Sequence, residues 1–216
     1  MTQHKEFQKM RREYSQHAFN EEDCDKDPFV QFKTWFDHAV AEGVDLPNAM
    51  CLSTVSVEGQ PSSRVVLLKH YDEKGFVFFT NYDSQKGVEL AANPKMTLLF
   101  HWKLFDRQIH ISGVVTKVSR EMSQEYFTSR PRESQVSAIV SPQSQGIPNR
   151  EHLEEMYAST MEKAKEKEGV SCPANWGGYR VEPFHFEFWQ GRDSRLHDRI
   201  VYLKNEKIWK ILRRSP

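Results

Sequence analysis

The spacing of apolar residues changes along the chain from a helical period to a strand-like one. Phe29, Phe32 and Phe36 recur at intervals of three and four residues, directly after Asp27-Pro28. Asp is a favoured N-cap and Pro fits the first helical turn, so this pattern predicts a helix that begins there and ends near Gly43.

From residue 49 onward, short alternating or apolar runs separated by turn residues predict strands. The predicted strands are "AMCLSTVS", "SSRVVLLKH", "GFVFFTN", "KMTLLFHW", "RQIHISGVVTKV", "YRVEPFHFEFWQ", "RLHDRIVYL" and "KIWKIL". Helices are predicted over "DSQKGVELAAN", with Ser84 or Asp83 near its cap, over "SREMSQEYFTSR" and "RESQVSAIV", separated by Pro131, and from about Asn149 to Lys167. Short turns join the strands and the helices come in blocks, which favours an α+β fold, mainly β with flanking helices, whose antiparallel strands form a barrel.

Composition bounds the domain organisation. Residues 1–26 are polar and charged with scattered aromatics, and we predict that they form a mobile or lightly docked N-terminal arm. Neither an internal repeat nor a low-complexity linker divides the remainder, so residues 27–216 are predicted to be a single domain.

Charge and cysteine usage exclude several classes of protein. Lys plus Arg equals Asp plus Glu, 30 against 30, which argues against a general nucleic-acid binder but leaves a local basic pocket possible. The three cysteines are widely spaced and form no C-x-x-C pair, and the histidines lack metal-ligand spacing, so neither a metal site nor a disulfide framework is indicated. The N-terminus lacks the apolar region of a secretory signal, and apolar runs stay shorter than the roughly 20 residues that span a bilayer. We therefore expect a soluble cytoplasmic protein without a membrane or nucleic-acid partner.

Cationic residues cluster near the C-terminus in "FWQGRDSRLHDR". If "RLHDRIVYL" is a strand, Arg195, His197 and Arg199 share one face, and Leu196 and Asp198 share the other. Such a face is either solvated or a site for an anion, and the segment alone leaves both interpretations open.

Two further segments hold candidate anion ligands. Arg64 and Lys69 bracket an apolar run, and Thr80, Ser84 and Lys86 surround a predicted helix start, which itself favours anions. The alternative for Arg64 and Lys69 is that they are simply exposed strand ends. The alternative for the second group is an ordinary capped turn.

The segment "EYFTSRPRESQ" combines Tyr126, Arg130 and Ser134 at four-residue spacing. On a continuous helix these three donors would share a face and could hold a phosphate, although Pro131 interrupts the helix. A surface helix end would contain similar residues. The phosphate-binding P-loop and G-x-G-x-x-G motifs are missing from the sequence, and so is the G-x-S-x-G motif of hydrolases.

Taken in order, these segments resemble one family closely, the pyridoxine/pyridoxamine 5′-phosphate oxidases, which are flavoproteins of vitamin B6 metabolism. The resemblance is carried by "RREY" from Arg11, "RVVLLKHYDEKG" from Arg64, "FFTN" from Phe78, "RQ" from Arg107, "YFTSRPRESQ" from Tyr126, "SPQS" from Ser141, "WGGYRV" from Trp176 and "EFWQG…RLHDR" from Glu187. It runs from about residue 10 to the end of the chain, and its last block is highly specific.

The resemblance implies an FMN-binding split β-barrel of antiparallel Greek-key type and a homodimer with FMN at the subunit interface. It implies oxidation of pyridoxine 5′-phosphate and pyridoxamine 5′-phosphate to pyridoxal 5′-phosphate, with O2 as acceptor, H2O2 as product and NH3 released from the amine. By motif position, the FMN contacts are expected at Arg64, Val65, Val66, Leu67, Lys69, Phe79, Thr80, Lys86, Gln108, Gln143, Ser144, Trp189 and Arg199.

Substrate contacts are expected, on the same resemblance, at Lys69, Tyr126, Arg130, Ser134, Arg195 and His197, with Arg11, Arg12, Glu13 and Tyr14 as a lid. The first four would hold the substrate phosphate. Arg195 and His197 would be the catalytic pair that orients the pyridine ring over the flavin. Phosphate esters carry about −1.5 to −2 charge near neutral pH, which fits local cationic clusters in a chain without net charge.

The chain departs from the family pattern at two places. The family commonly has Ser-Arg-Lys where this chain has Ser84-Gln85-Lys86, and its usual Arg-Leu-Ala-Pro ending appears as "RRSP". The first change puts the strength of FMN phosphate binding in question.

Two alternative functions stay open, namely a related split-barrel flavin oxidase that acts on another ring, such as a phenazine-pathway oxidase, and a non-catalytic carrier of FMN or pyridoxal phosphate.

Overall fold

The computed structural model describes residue 14 and residues 17–165, 170–206 and 208–216. Within these residues the helices are α1 (Pro28–Ala41), α2 (Gln85–Ala92), α3 (Arg120–Ser129), α4 (Arg132–Val140) and α5 (Arg150–Lys165). The strands are β1 (Ala49–Val55), β2 (Pro61–Leu67), β3 (His70–Asp72), β4 (Gly75–Asn81), β5 (Lys95–Trp102), β6 (Arg107–Lys117), β7 (Trp176–Gln190), β8 (Asp198–Asn205) and β9 (Ile208–Arg213).

Helix starts follow the capping residues that the sequence offers. Asp27 is the N-cap of α1, and its side chain accepts a hydrogen bond from the Phe29 N–H at 2.9 Å. Ser84 is the N-cap of α2, and its hydroxyl accepts from the Gly87 N–H at 3.4 Å. Each cap satisfies a backbone donor that the helix itself leaves unpaired, which confirms the predicted positions of both helices.

The strands form one sheet with the order β2-β1-β5-β6-β7-β4-β3, and β8 pairs with both β7 and β9. The pairs β1–β2, β3–β4, β4–β7, β7–β8 and β8–β9 are antiparallel. In the β1–β2 hairpin Ser53 lies opposite Ser63 and Thr54 lies opposite Ser62. Successive residues of a strand face opposite sides of the sheet, so these two neighbouring pairs face opposite sides.

The chain divides into two compact units. The termini unit comprises Met1–Pro47, Leu98–Ser112 and Phe184–Pro216, and the central unit comprises Asn48–Thr97 and Gly113–Pro183. In the termini unit Trp35 packs edge-on against Phe188 with ring centroids 5.3 Å apart. In the central unit Phe76, Phe78 and Val181 are fully buried. The described part of the chain contains no helix long and apolar enough to cross a membrane.

The predicted strand "RLHDRIVYL" is wrong at its start. β8 begins only at Asp198, and Asp193–Arg195 forms a short 3-10 turn instead. Ser194 and Arg195 have φ angles of 55° and 61°, in the left-handed region, which strand geometry excludes. Arg195, His197 and Arg199 therefore do not form one alternating strand face. The helix predicted to reach Lys167 is described as far as Lys165.

Most of the predicted N-terminal arm, residues 1–26, lies outside the described residues. Of its described part, Phe19 is buried, and its backbone N–H donates to Asp198 Oδ2 at 3.0 Å. The arm and the single domain over residues 27–216 stay predictions.

Candidate active site

A cavity of about 860 Å³ lies in the central unit and has a strongly cationic lining. The residues around it are Arg64, Val65, Val66, Leu67, Lys69, Phe79, Thr80, Asn81, Lys86, Tyr126, Arg130, Pro131, Ser134, Ser137, Ala138, Ser141, Gln143, Ser144 and Trp176. Four of these side chains are Lys or Arg, and none is Asp or Glu. The cavity is therefore suited to an anionic ligand.

The end of β4 and the start of α2 supply one cationic part of the lining. Lys86 is buried, and its Nζ lies 3.1 Å from Gln143 Oε1 and 3.3 Å from Ser84 Oγ. Thr80 Oγ1 donates to the same Gln143 oxygen at 3.1 Å. Burial lowers the pKa of Lys86, Arg64 lowers it further, and Glu89 opposes both. A bound anion would favour the charged form of this ammonium.

The break between α3 and α4 supplies a second cationic part. Arg130 caps the C-terminus of α3, and Pro131 precedes α4, so the two helices are separate, as predicted. Tyr126, Arg130 and Ser134 all line the cavity in spite of this break. The guanidinium of Arg130 lies over the Trp176 ring, 4.8 Å from its centroid, and burial lowers the pKa of Arg130.

Arg130 carries an unsatisfied polar atom. Its Nη1 is buried and has no hydrogen-bond partner among the described residues. Buried guanidinium donors are normally paired, because leaving one unpaired costs free energy. A ligand oxygen in the cavity would provide that partner.

Aromatic side chains form one wall of the cavity. Phe79 stacks on Tyr126 with centroids 4.0 Å apart and on Trp176 at 5.6 Å. Lys69 Nζ lies 5.9 Å from the centroid of the Tyr126 ring. Cationic groups and flat apolar surfaces thus meet in one cavity, a combination that suits a planar ligand with an anionic group.

The termini unit contains a second group of functional candidates, around His197. Its Nδ1 accepts a hydrogen bond from the Arg192 backbone N–H at 3.1 Å. The ring packs against Trp189 and edge-on against Tyr14, with centroid distances of 4.6 Å and 5.1 Å. Burial and then Arg195 lower the pKa of His197, and Asp198 opposes this. His197 is therefore neutral near pH 7, with its proton on Nε2.

Arg199, on β8, is held by a buried carboxylate. Its Nε and Nη2 donate to Glu187 Oε1 and Oε2 at 2.8 Å and 2.9 Å, in a bidentate pair. Arg214 Nη1 also donates to Glu187 Oε2, at 3.0 Å. Bidentate geometry fixes the plane of the Arg199 guanidinium.

The structure places the described members of the predicted site either around the cavity or in the termini unit. The predicted residues that line the cavity are Arg64, Val65, Val66, Leu67, Lys69, Phe79, Thr80, Lys86, Tyr126, Arg130, Ser134, Gln143 and Ser144. Gln108, Trp189, Arg195, His197, Arg199 and Tyr14 belong to the termini unit. Arg11, Arg12 and Glu13 lie outside the described residues.

Sequence reasoning missed several residues of these sites. Ser137 and Ala138 line the cavity, and their positions three and four residues after Ser134 on a helix are the signal that could have found them. Arg192 has no role in the sequence-based interpretation, yet its backbone N–H sets the tautomer of His197 and its side chain donates to Asp198 at 3.0 Å. A backbone contact of this kind leaves no signal in the sequence.

Two family models match the chain. The model described as pyridoxamine 5′-phosphate oxidase matches residues 36–159, and that described as pyridoxine 5′-phosphate oxidase C-terminal dimerisation region matches residues 176–216. The pyridoxine/pyridoxamine 5′-phosphate oxidase of Cupriavidus pinatubonensis is 50% identical over 208 residues, which cover 96% of this chain and 97% of that protein. The chloroplastic pyridoxine/pyridoxamine 5′-phosphate oxidase 1 of Arabidopsis thaliana is 47% identical over 211 residues, 96% of this chain and 40% of that longer protein.

Solved structures agree in fold. PhzG from Burkholderia lata, crystallised with tetrahydrophenazine-1-carboxylic acid, superposes with a TM-score of 0.87 at 29% identity, over 93% of this chain and 98% of that one. A pyridoxamine 5′-phosphate oxidase-related, FMN-binding protein of Nostoc punctiforme superposes with a TM-score of 0.71 at 14% identity, over 89% and 100% of the two chains. These likenesses confirm the predicted fold class, the mainly antiparallel split barrel with flanking helices.

Proposed function

Because the chain belongs to the pyridoxamine 5′-phosphate oxidase family, we propose that the cavity of the central unit binds FMN and a phosphorylated B6 vitamer side by side. The chain is a pyridoxamine-phosphate oxidase that converts pyridoxine 5′-phosphate and pyridoxamine 5′-phosphate to pyridoxal 5′-phosphate. FMN is its cofactor.

The unpartnered Nη1 of Arg130 is the observation that carries the assignment of the substrate phosphate. Lys69, Tyr126 and Ser134 line the same cavity and add an ammonium and two hydroxyl donors. Together these four side chains offer the charge and the donors that a phosphate dianion requires. They bind and orient the substrate.

The residues present also fit FMN. Arg64 and Lys86 supply charge for its phosphate, Gln143 supplies a polar contact close to Lys86, and Ser144 lines the same cavity. Val65, Val66, Leu67, Phe79 and Thr80 form the largely apolar wall beside them, and Lys69, which is expected to contact both ligands, lines the same cavity. When bound, FMN would supply the redox chemistry, as acceptor of a hydride from C4′ of the substrate and as donor of electrons to O2 to give H2O2.

Arg195 and His197 act on the pyridine ring of the substrate in this proposal. Neutral His197 presents an Nε2–H donor to the pyridine nitrogen or to a hydroxyl substituent of the ring, because its Nδ1 is occupied by the Arg192 N–H. Arg195 supplies a cation whose position is set by the left-handed backbone at residues 194 and 195. Tyr14, which packs on His197, belongs with Arg11, Arg12 and Glu13 to the proposed lid over the substrate.

Residues 176–216 match the dimerisation region of the family, and the enzyme is a homodimer. We place FMN at the subunit interface, where Gln108, Trp189 and Arg199 of one subunit would complete the cavity of the other. This arrangement explains why a cavity rich in predicted contacts omits these three residues.

The remaining proposals concern location and domain organisation. We propose a cytoplasmic location, which is supported by the three free cysteines. We also propose that residues 27–216 act as one catalytic domain with residues 1–26 as its arm.

An anaerobic reduction experiment tests the function. The purified protein is expected to show a flavin spectrum that is bleached by pyridoxine 5′-phosphate or pyridoxamine 5′-phosphate when oxygen is excluded. Bleaching by neither compound would contradict the oxidase assignment. A reduced phenazine precursor that bleaches the flavin in their place would indicate the phenazine-type oxidase, and binding without bleaching would indicate a carrier.

A further inference from the structure

Two hydroxyl groups on the β1–β2 hairpin hold the guanidinium of Arg64. Arg64 Nη1 donates to Thr54 Oγ1, and Arg64 Nη2 donates to Ser62 Oγ at 2.6 Å. Thr54 and Ser62 lie directly opposite each other in the β1–β2 ladder. The antiparallel register therefore places both acceptors side by side under one guanidinium.

Glu89, on α2, fixes the direction of these hydroxyl groups. Its Oε2 accepts from Thr54 Oγ1 and from Ser62 Oγ, the latter at 2.7 Å. A carboxylate only accepts and a guanidinium only donates, so each hydroxyl must donate to Glu89 and present its lone pairs to Arg64. The chain of bonds thus has one direction, from Arg64 through the hydroxyl groups to Glu89, and Arg64 Nη2 also donates directly to Glu89 Oε2 at 3.4 Å.

Glu89 stays ionised in this environment. Burial alone would raise its pKa, but hydrogen bonds from Thr54, Ser62 and Gln85 outweigh burial and lower the pKa to about 2. Gln85 Nε2 donates to Glu89 Oε1 at 2.9 Å, so the second carboxylate oxygen is also held. The Gln85 amide therefore supports the same carboxylate with a neutral donor.

The side chains of Thr54, Ser62 and Glu89 are outside the cavity lining, whereas that of Arg64 is part of it. We propose that Thr54, Ser62 and Glu89 are positioning residues, which hold Arg64 ready for the phosphate group of FMN. This inference rests on the proposed function. Fixing an Arg side chain in one rotamer costs conformational entropy. Because Arg64 is already fixed in the folded protein, ligand binding does not have to supply that free energy.

The test compares FMN with riboflavin, which lacks the phosphate. The Thr54→Val/Ser62→Ala double variant removes both hydroxyl groups without changing any charge. The matched control is Ser53→Ala/Ser63→Ala, since these hydroxyl groups bond to each other at 2.8 Å on the opposite side of the same hairpin. Dissociation constants of both flavins are measured by fluorescence quenching with the full chain stripped of flavin.

We expect the Kd of FMN to rise roughly tenfold in the double variant, as for a lost hydrogen bond to a charged group, with riboflavin and the control unchanged. Equal weakening of both flavins, or unchanged FMN affinity, would overturn the inference. If the double variant does not fold, judged by its thermal transition, Ser62→Ala alone is tested with Ser63→Ala as its control against the same two outcomes. Wild-type protein that binds riboflavin as tightly as FMN would instead contradict the proposed phosphate site itself.

Discussion

The backbone N–H of Arg192 donates a hydrogen bond to Nδ1 of His197 over 3.1 Å. The bond requires an unprotonated Nδ1 and so places the only ring proton on Nε2. Protonation of His197 at acidic pH would turn Nδ1 into a donor and break this contact. The tautomer that the proposed function needs is thus tied to the charge of the ring.

We therefore predict an acid limb in the pH profile of kcat/KM that comes from His197. Burial and Arg195 lower the pKa of His197 below its ordinary 6.5, so the limb should have its midpoint below pH 6.5. His197→Gln keeps a polar side chain but does not titrate, and we expect it to lower activity roughly tenfold or more. The substrate phosphate titrates in both enzymes, so the ratio of the two profiles isolates His197. If the ratio of the two kcat/KM profiles does not change with pH, the acid limb does not come from His197.

A second prediction concerns the exposed Arg195. Replacing Arg195 with Leu should lower kcat/KM by roughly tenfold or more while FMN retention stays unchanged, because this residue is assigned to the substrate. Arg192→Leu is less suitable as a control than Asp193→Asn, since the Arg192 side chain is bonded to Asp198. Flavin content and steady-state kinetics are measured together. Loss of flavin with normal turnover after FMN is resupplied would mean that Arg195 serves the cofactor.

Arg130→Gln should raise the KM for both phosphorylated vitamers by roughly 10- to 100-fold, since a charged hydrogen bond contributes about 1.5–3 kcal/mol. The reason is the buried Nη1, which lacks a protein partner within the described residues and is free for the substrate phosphate. Arg132→Gln, two residues away and exposed, is the matched control. If the two variants raise KM equally, the effect is one of general charge rather than of a phosphate contact.

Asp198 joins the N-terminal segment to the end of the sheet, and its removal should destabilise the fold. It accepts from the Phe19 N–H, from Arg192 and from Arg213, at 3.0, 3.0 and 2.6 Å. Burial alone would raise the pKa of Asp198, but these bonds lower it below the ordinary 3.8. Its contribution is therefore fully present above about pH 4 and is lost as the pH falls through the lowered value.

Urea unfolding at pH 7 should show Asp198→Asn to be less stable by about 1–2 kcal/mol, because its Arg partners are partly exposed and solvent screens them. The deficit should shrink as the pH approaches 3. Asp193→Asn, which changes an exposed carboxylate nearby, should have no effect at either pH. A deficit of Asp198→Asn that is independent of pH would show that shape rather than charge is responsible.

The sequence predicts an element correctly where the residues that indicate it lie within a few positions of one another. β4 and β5 agree with their predicted segments residue for residue, because alternation and flanking turns are read within a few positions. The segment before β8 failed because Ser194 and Arg195 take left-handed backbone conformations without the Gly or Asn that usually indicates them.

The sequence does not predict the residues that hold Arg64, and the reason is a different one. Glu89 lies 35 residues from Thr54 and 27 from Ser62, so only the folded hairpin and α2 bring the three together. Arg64 itself was predicted as a ligand from its motif. The residues that position it belong to no motif, and their contacts follow from the register of β1 and β2.

The last prediction concerns Gln85, where the family commonly has Arg. The side chain is exposed and its amide donates to Glu89 at 2.9 Å. Gln85→Arg adds a cation at the N-terminal end of α2, next to Lys86. An exposed pair of opposite charges contributes about 0.2–1 kcal/mol, which is the gain expected between this cation and the FMN phosphate. We expect the Kd of FMN to fall about two- to fivefold at low ionic strength and the gain to vanish in roughly 1 M salt, where the Debye length is about 3 Å. Val88→Arg, which adds the same charge at an exposed position of the same helix, is the control. An equal gain in both variants would show that a cation at position 85 acts no differently from one elsewhere on α2. An unchanged Kd in Gln85→Arg would show that FMN binding is not weakened by having Gln85 where the family commonly has Arg.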